Sequence, residues 1–239
     1  MYKPLFFLLT TVLAIACNSK ELIVRKPILD KNRIKIGDSI FNNKNLVKII
    51  FTDTTLIVDS IVYKRFNIST NKIKSISTFI KGKRVFENIE YHENGKIKEY
   101  RFIDEDSDTY FYSRIYDTSG HFLDKQGKLF FQIYLHDTSN LEGLAIKEGS
   151  NLFINVFYPN PPDLKSFLFV RFSDNKKIDV FSENKIMNCL KSVYTENTLK
   201  DKSVNWREIN IGLELSEVDG NIIDTFGKKV FYKVVANSN

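Results

Sequence analysis

Few side chains in this sequence have the types and spacing that do chemistry. The histidines are His92, His121 and His136, and the cysteines are Cys17 and Cys189. No histidine pair falls at helical metal spacing and there is no Cys-x-x-Cys, whereas zinc needs three or four convergent ligands. His92 and His121 flank turn residues and read as solvated turn positions. The chain has no Gly-x-Ser-x-Gly elbow, no phosphate-cradling glycine loop and no dinucleotide fingerprint. The densest polar cluster is Asp104-Glu105-Asp106-Ser107-Asp108. Alternating carboxylates can chelate Ca²⁺, but an EF-hand needs Gly and Glu where Thr109 and Ile115 stand. A solvated hairpin turn and a different cation loop both stay open there. Tyr110, Tyr112 and Tyr116 alternate onto one face of a strand and are the candidate binding residues. Such a face either receives a sugar ring or a protein, or forms one side of a packed sheet. The expected sets of catalytic residues, metal ligands and cofactors are empty. Asp/Glu pairs suited to a glycosidase are not identifiable without knowing which carboxylates share a cleft.

The elements that carry these residues read as strands. From Ile28 to Tyr158 the chain runs 131 residues without a proline, which suits a long antiparallel meander. Apolar and aromatic runs recur between polar turns, giving strands at Leu46–Phe51, Thr55–Val58, Ile61–Ile68, Lys74–Ile80, Arg84–Tyr91, Lys96–Ile103, Thr109–Tyr116 and Lys128–His136. Tyr91-His92-Glu93-Asn94-Gly95-Lys96-Ile97-Lys98-Glu99 holds an Asn-Gly hairpin signal, expected as a type I′ turn with positive φ at both central residues. A related unit follows 25 residues later at Tyr116–Phe122, and a third precedes it by 24 at Asn71-Lys72-Ile73-Lys74. Such spacing predicts stacked hairpins of one sheet. The unit Tyr-x-x-Asn-Gly-Lys-Ile-Lys resembles the variant MORN repeat of bacterial envelope proteins, over about residues 66–125. That resemblance implies a β-sheet scaffold and brings no catalytic residues.

Beyond residue 141 the texture changes. Leu152–Tyr158 leads to the turn Pro159-Asn160-Pro161-Pro162-Asp163, followed by strands at Phe167–Phe172, Ile178–Phe181, Ile209–Leu215 and Val230–Val235. Ile209, Ile211, Leu213 and Leu215 alternate with polar residues as in a half-buried strand, before the turn Asp219-Gly220-Asn221. Ile186, Leu190, Val193 and Tyr194 fall at helical spacing behind Ser182, predicting a short helix over Glu183–Tyr194. The pattern suits a small β-sandwich, and its ending resembles bacterial Ig-like domains.

Composition bounds the function further. Thirty-five Lys and Arg against 29 Asp and Glu give +6, interspersed rather than in blocks, so nucleic acid is not an expected partner. Two cysteines exclude a disulfide-dense scaffold. The N-terminus has a basic start at Lys3 and an apolar run from Leu5 to Ile15, too short to span a bilayer. The run ends in Leu13-Ala14-Ile15-Ala16-Cys17, which resembles the lipobox of bacterial lipoproteins, although Ala14 stands where Leu is commonest. The resemblance implies cleavage before Cys17 and acylation there, leaving a 223-residue mature chain; several acyl chains give stable anchoring. An ordinary signal peptide with a chance cysteine is the alternative. Lipidated Cys17 would leave Cys189 without a disulfide partner, as a buried apolar residue. By the same resemblance, Asn18 in place of Asp favours the outer membrane, with Lys20-Glu21 bearing on surface exposure.

The expected organisation is a signal peptide (1–16), a lipidated N-terminus and tether (17–36), a hairpin-repeat domain (37–140) and a β-sandwich (141–239). The fold class is mainly β: an antiparallel meander of stacked hairpins, then a small, Ig-like sandwich with one short helix. The expected function is a lipid-anchored cell-envelope protein, a non-enzymatic scaffold or binding module for another envelope protein. The alternative is a surface glycan-binding protein or carbohydrate-active enzyme.

Overall fold

The structure, a computed structural model, describes residues 22–57, 60–107, 111–137, 145–147, 149–172, 177–180, 189–195 and 205–235. Every regular element among them is a β-strand.

Nine strands form one sheet in chain order: β1 (Ile23–Leu29), β2 (Lys35–Asn42), β3 (Asn45–Ile57), β4 (Ser60–Ser69), β5 (Lys72–Ile80), β6 (Lys83–Tyr91), β7 (Ile97–Ile103), β8 (Phe111–Tyr116) and β9 (Phe122–Gly127). Each strand pairs antiparallel with the next, so the predicted meander is the observed one. It is longer than predicted at both edges. β2 precedes the first predicted strand, and the strand predicted over Lys128–His136 leaves this sheet, its residues 132–137 pairing with residues 152–157 instead. β1 lies where the sequence pattern placed a tether, and β9 lies outside the predicted strands. Both are edge strands without a strong apolar period; β1 carries Pro27, a residue that belongs on a sheet edge.

Directly paired residues share a face of the pleat. One row across the sheet is Phe66, Ile76, Ile89, Tyr100 and Arg114; the adjacent row on the opposite face is Arg65, Ser77, Asn88, Arg101 and Ser113. The first row faces the core. Arg65 on the second lies over the Phe79 ring, 4.3 Å from its centroid, with Tyr63 stacked on Phe79.

The remaining strands make two further sheets. β10 (Gln132–Asp137), β12 (Asn151–Phe157) and β15 (Cys189–Thr195) form one, antiparallel throughout. β11 (Ala145–Lys147), β17 (Ile222–Val235), β16 (Asn205–Ser216), β13 (Lys165–Phe172) and β14 (Lys177–Val180) form the other, in that spatial order, with β11 parallel to β17. Ile209, Ile211, Leu213 and Leu215 are buried on one face of β16, as their alternation predicts. They join Leu168, Val170, Leu152, Ile154 and Val156 in a core continuous with that of the meander.

The helix predicted over Glu183–Tyr194 gives way to a strand wherever the span is described: residues 189–194 lie in β15, and residues 183–188 fall outside the described residues. The register sets Leu190, Ser192 and Tyr194 opposite Val156, Ile154 and Leu152. A stretch this short with scattered apolar residues is ambiguous between helix and strand, and pairing with the core strand β12 decides between them. Cys189 is buried at the start of this strand.

A bulge in β6 joins the meander to the three-stranded sheet. Val85 pairs with Thr78 and Asn88 with Ser77, so Phe86 and Glu87 bulge out of the β5 register while pairing with Ile103 and Phe102 of β7. Phe86 adopts φ 50°, rare for a bulky residue. The side-chain amide of Asn88 donates to the carbonyls of Val85 and Phe86, and the Thr78 hydroxyl donates to that of Glu87. These bonds hold the bulge, and Phe86 stacks on Phe157 at 4.0 Å between centroids.

Candidate functional site

The hairpin turns stack along one edge of the meander. In the Asn-Gly unit, His92 N–H donates to the Lys96 carbonyl and Gly95 N–H to the His92 carbonyl, and Gly95 alone has positive φ. This is a three-residue loop with a glycine bulge, not the expected type I′ turn. Asp117–His121 repeats both bonds, with Gly120 in the glycine position; Glu217–Asn221 repeats them again in the five-stranded sheet. The Thr70-Asn71 turn is the two-residue form, with positive φ at both. Side chains tie successive turns together: Lys72 Nζ donates to the Glu93 carbonyl, and Asn94 Nδ2 to the Thr118 carbonyl. His92 Nε2 lies 3.1 Å from the Tyr116 carbonyl. His92 is therefore a bridge between hairpins rather than a solvated turn residue. His121 is exposed, 3.5 Å from Asp117. The carboxylate of Asp117 accepts backbone N–H bonds from His121 and Ser119, which hold its pKa below the usual carboxylate value.

Tyr112 and Tyr116 share one strand face as predicted, and that face is the packed one. Both are buried, so neither ring stands on an open platform; Tyr110 lies outside the described residues. Between them stands Arg114, which the sequence pattern did not single out. Arg114 Nη2 donates to Asp163 Oδ2 at 2.6 Å, and Tyr116 O–H to Asp163 Oδ1 at 2.5 Å. The Arg114 guanidinium also lies 3.9 Å from the centroid of Phe122. Asp163 closes the Pro159–Asp163 turn, whose Asn160 N–H donates to the hydroxyl of Tyr100. The proline-rich turn is thus the dock between the two halves of the chain. Burial, and then the bond to Asp163, pushes the Tyr116 hydroxyl well above its ordinary value. Tyr100 and Tyr112 are raised by the same burial. Burial is the largest influence on Arg114 and would lower it, but the bond and charge of Asp163 together with the hydroxyls of Tyr112 and Tyr116 raise it overall.

The acidic turn makes related contacts. Gln132 donates to Asp104 and Tyr134 to Glu105, so two of its carboxylates accept bonds from β10. Burial raises Asp104 above the ordinary carboxylate value. Asp108 is outside the described residues. Among the described residues no group of three or more His, Cys, Asp or Glu is placed to hold a metal ion. A second buried charge pair, Lys64 with Glu87, sits inside the meander.

The outer face of the five-stranded sheet is different in character. Gly212 and Gly227 pair directly, leaving a dent in the sheet. Phe169, cross-strand from Gly212, lies over it: a Cβ there would come within 2.1 Å of the ring. The rest of the dent is a groove of about 430 Å³, rimmed by Asn210, Glu214, Thr225 and Lys229. Exposed Trp206 and Phe231 lie further along the same face. No long-range sequence signal marks this groove; the two glycines are its trace in the sequence.

Comparison of the chain with protein-family models, with curated proteins and with solved structures finds no match.

Proposed function

We propose that this protein is a lipid-anchored component of a bacterial cell envelope, processed before Cys17 and acylated there. It acts as a non-enzymatic scaffold that holds another envelope protein. Its hairpins are of the variant MORN-like kind, its C-terminal sheets of the Ig-like kind, and its destination is the outer membrane. The observation that carries the binding role is the distribution of side chains over the described residues. Arg114, Asp163 and Tyr116 join the two halves, whereas Trp206, Phe231 and Phe169 share the outer face of one sheet. Aromatic side chains on a rigid sheet offer large contact area with little conformational entropy to lose. Crosslinking and pull-down from solubilised membranes with a tagged mature chain test the reading. A stoichiometric partner lost on Trp206→Ala with Phe231→Ala is expected; recovery of none would overturn it.

The groove beside Phe169 favours a second reading, a surface glycan-binding protein. An aromatic wall with amide, carboxylate and hydroxyl groups on its rim suits one sugar ring. Glycan-array binding lost on Phe169→Ala would establish it. Tyr112 and Tyr116 no longer carry this alternative, because their rings are buried.

A further inference from the structure

The positive charge of this chain is not spread evenly. Residues 22–98 hold sixteen Lys and Arg against seven Asp and Glu, and residues 99–239 hold seventeen against twenty-one. The excess is densest at the start. Residues 22–48, which make β1, β2 and the first residues of β3, contain Arg25, Lys26, Lys31, Arg33, Lys35, Lys44 and Lys48. Their two acids are engaged. Asp38 is paired with Lys35 at 3.0 Å and lies 4.0 Å from Arg25. Asp30 Oδ1 accepts the backbone N–H of Asn32 and Ile34, closing the β1–β2 turn.

The same segment exposes aliphatic side chains. Leu22, Ile23, Leu29 and Ile34 are each more than half accessible. β1 is an edge strand of seven residues, so roughly 20 Å separates its apolar ends Ile23 and Leu29. Lysines and arginines lie between and around them. Cationic side chains interleaved with aliphatic ones favour a surface that has both anionic headgroups and hydrocarbon beneath. A nucleic acid would use the charges and leave the aliphatic residues wet.

We infer that the β1–β2 edge of the meander lies on an anionic lipid bilayer. The inference rests on the anchor reading above: five residues from Cys17 reach Leu22, which at full extension span at most about 18 Å. An acylated Cys17 therefore holds this edge within that distance of the headgroups, where the cations and Leu22, Ile23, Leu29 and Ile34 complete a second attachment. Two attachments orient the sheet where one would leave it swivelling. The opposite edge, β9, then points away from the bilayer.

The test uses the mature chain with Cys17→Ser, which carries no acyl group, and sedimentation with phosphatidylcholine vesicles containing about one-third phosphatidylglycerol. The expected result is binding that vanishes on pure phosphatidylcholine and at high salt. Lys31→Glu with Lys44→Glu, both exposed, should weaken it at least ~30-fold. Lys147→Glu with Lys228→Glu, also exposed, makes the same change in net charge elsewhere and should leave most of the binding. Ile23→Ser with Leu29→Ser should weaken it without altering its salt dependence. Equal loss in the two charge-reversed variants, equal binding to neutral vesicles, or no binding would overturn the inference. Failure of the anchor reading shows separately, as a natural chain without acyl groups on Cys17.

Discussion

The junction between the meander and the C-terminal sheets turns on one carboxylate, and its removal has a calculable effect. Asp163 accepts a bond from buried Arg114 and one from buried Tyr116. Asp163→Ala leaves the Arg114 guanidinium in the interface without its acceptor, and leaves the Tyr116 hydroxyl without one as well. Hydrogen bonds to charged groups contribute about 1.5–3 kcal/mol each, and breaking a fully buried pair costs about 3–5 kcal/mol. The Asp163 side chain is 31% exposed, so water compensates part of the loss. About 3 kcal/mol is therefore expected, or a fall of about 9 °C in Tm for a chain of this length. Thermal unfolding followed by far-ultraviolet dichroism measures it. Asp163→Asn keeps one acceptor oxygen and should lose less. Arg114→Met combined with Asp163→Ala should cost less than the sum of the two changes, because the second no longer strands a charge. A Tm within about 2 °C of the natural chain for Asp163→Ala, or strict additivity in the double variant, would refute the reasoning.

Tyr100, Tyr112, Tyr116 and Tyr134 are all raised above their ordinary value of 10.0, chiefly by burial. A group held protonated in the folded state favours folding below its unfolded-state value, and that contribution is lost as pH rises beyond it. Stability should therefore fall above about pH 10, with tyrosinate absorbance appearing together with unfolding rather than before it. Phe86→Ala removes the ring stacked on Phe157 and should cost about 3–5 kcal/mol in urea unfolding. Gly127→Ala places a Cβ 1.8 Å from the Phe111 carbonyl oxygen at φ 77°, so β9 should detach from β8, seen as faster amide exchange in Phe122–Gly127 alone.

The parts of the fold legible in the sequence are those where local pattern and long-range packing agree. The absence of proline from Ile28 to Tyr158 and the recurring turn residues mark the meander, because an internal strand needs every N–H and a reversal needs positive φ. The edge strands β1 and β9 escape this reasoning, since one side of each strand is unpaired and neither has a buried stripe to read. β15 escapes it because Leu190, Val193 and Tyr194 fall at helical spacing in a short stretch interrupted by Lys191 and Ser192, and only pairing with β12 resolves it as a strand. The Tyr112–Tyr116 alternation was legible as a shared face, but which face is packed depends on the Pro159–Asp163 turn about 45 residues away. Arg114 carries no local mark of its role for the same reason. The charge balance looked dispersed because no block of like charges exists; strand pairing brings Arg25, Lys26 and Lys35 to one edge.

Acylation at Cys17 is read most directly from the mass of the natural chain extracted from membranes. The expected mass is that of a protein lacking residues 1–16, with Cys17 at its N-terminus carrying a diacylglyceryl group and an acylated amine. A chain that keeps residues 1–16, or one that begins elsewhere and carries no acyl group, would contradict it.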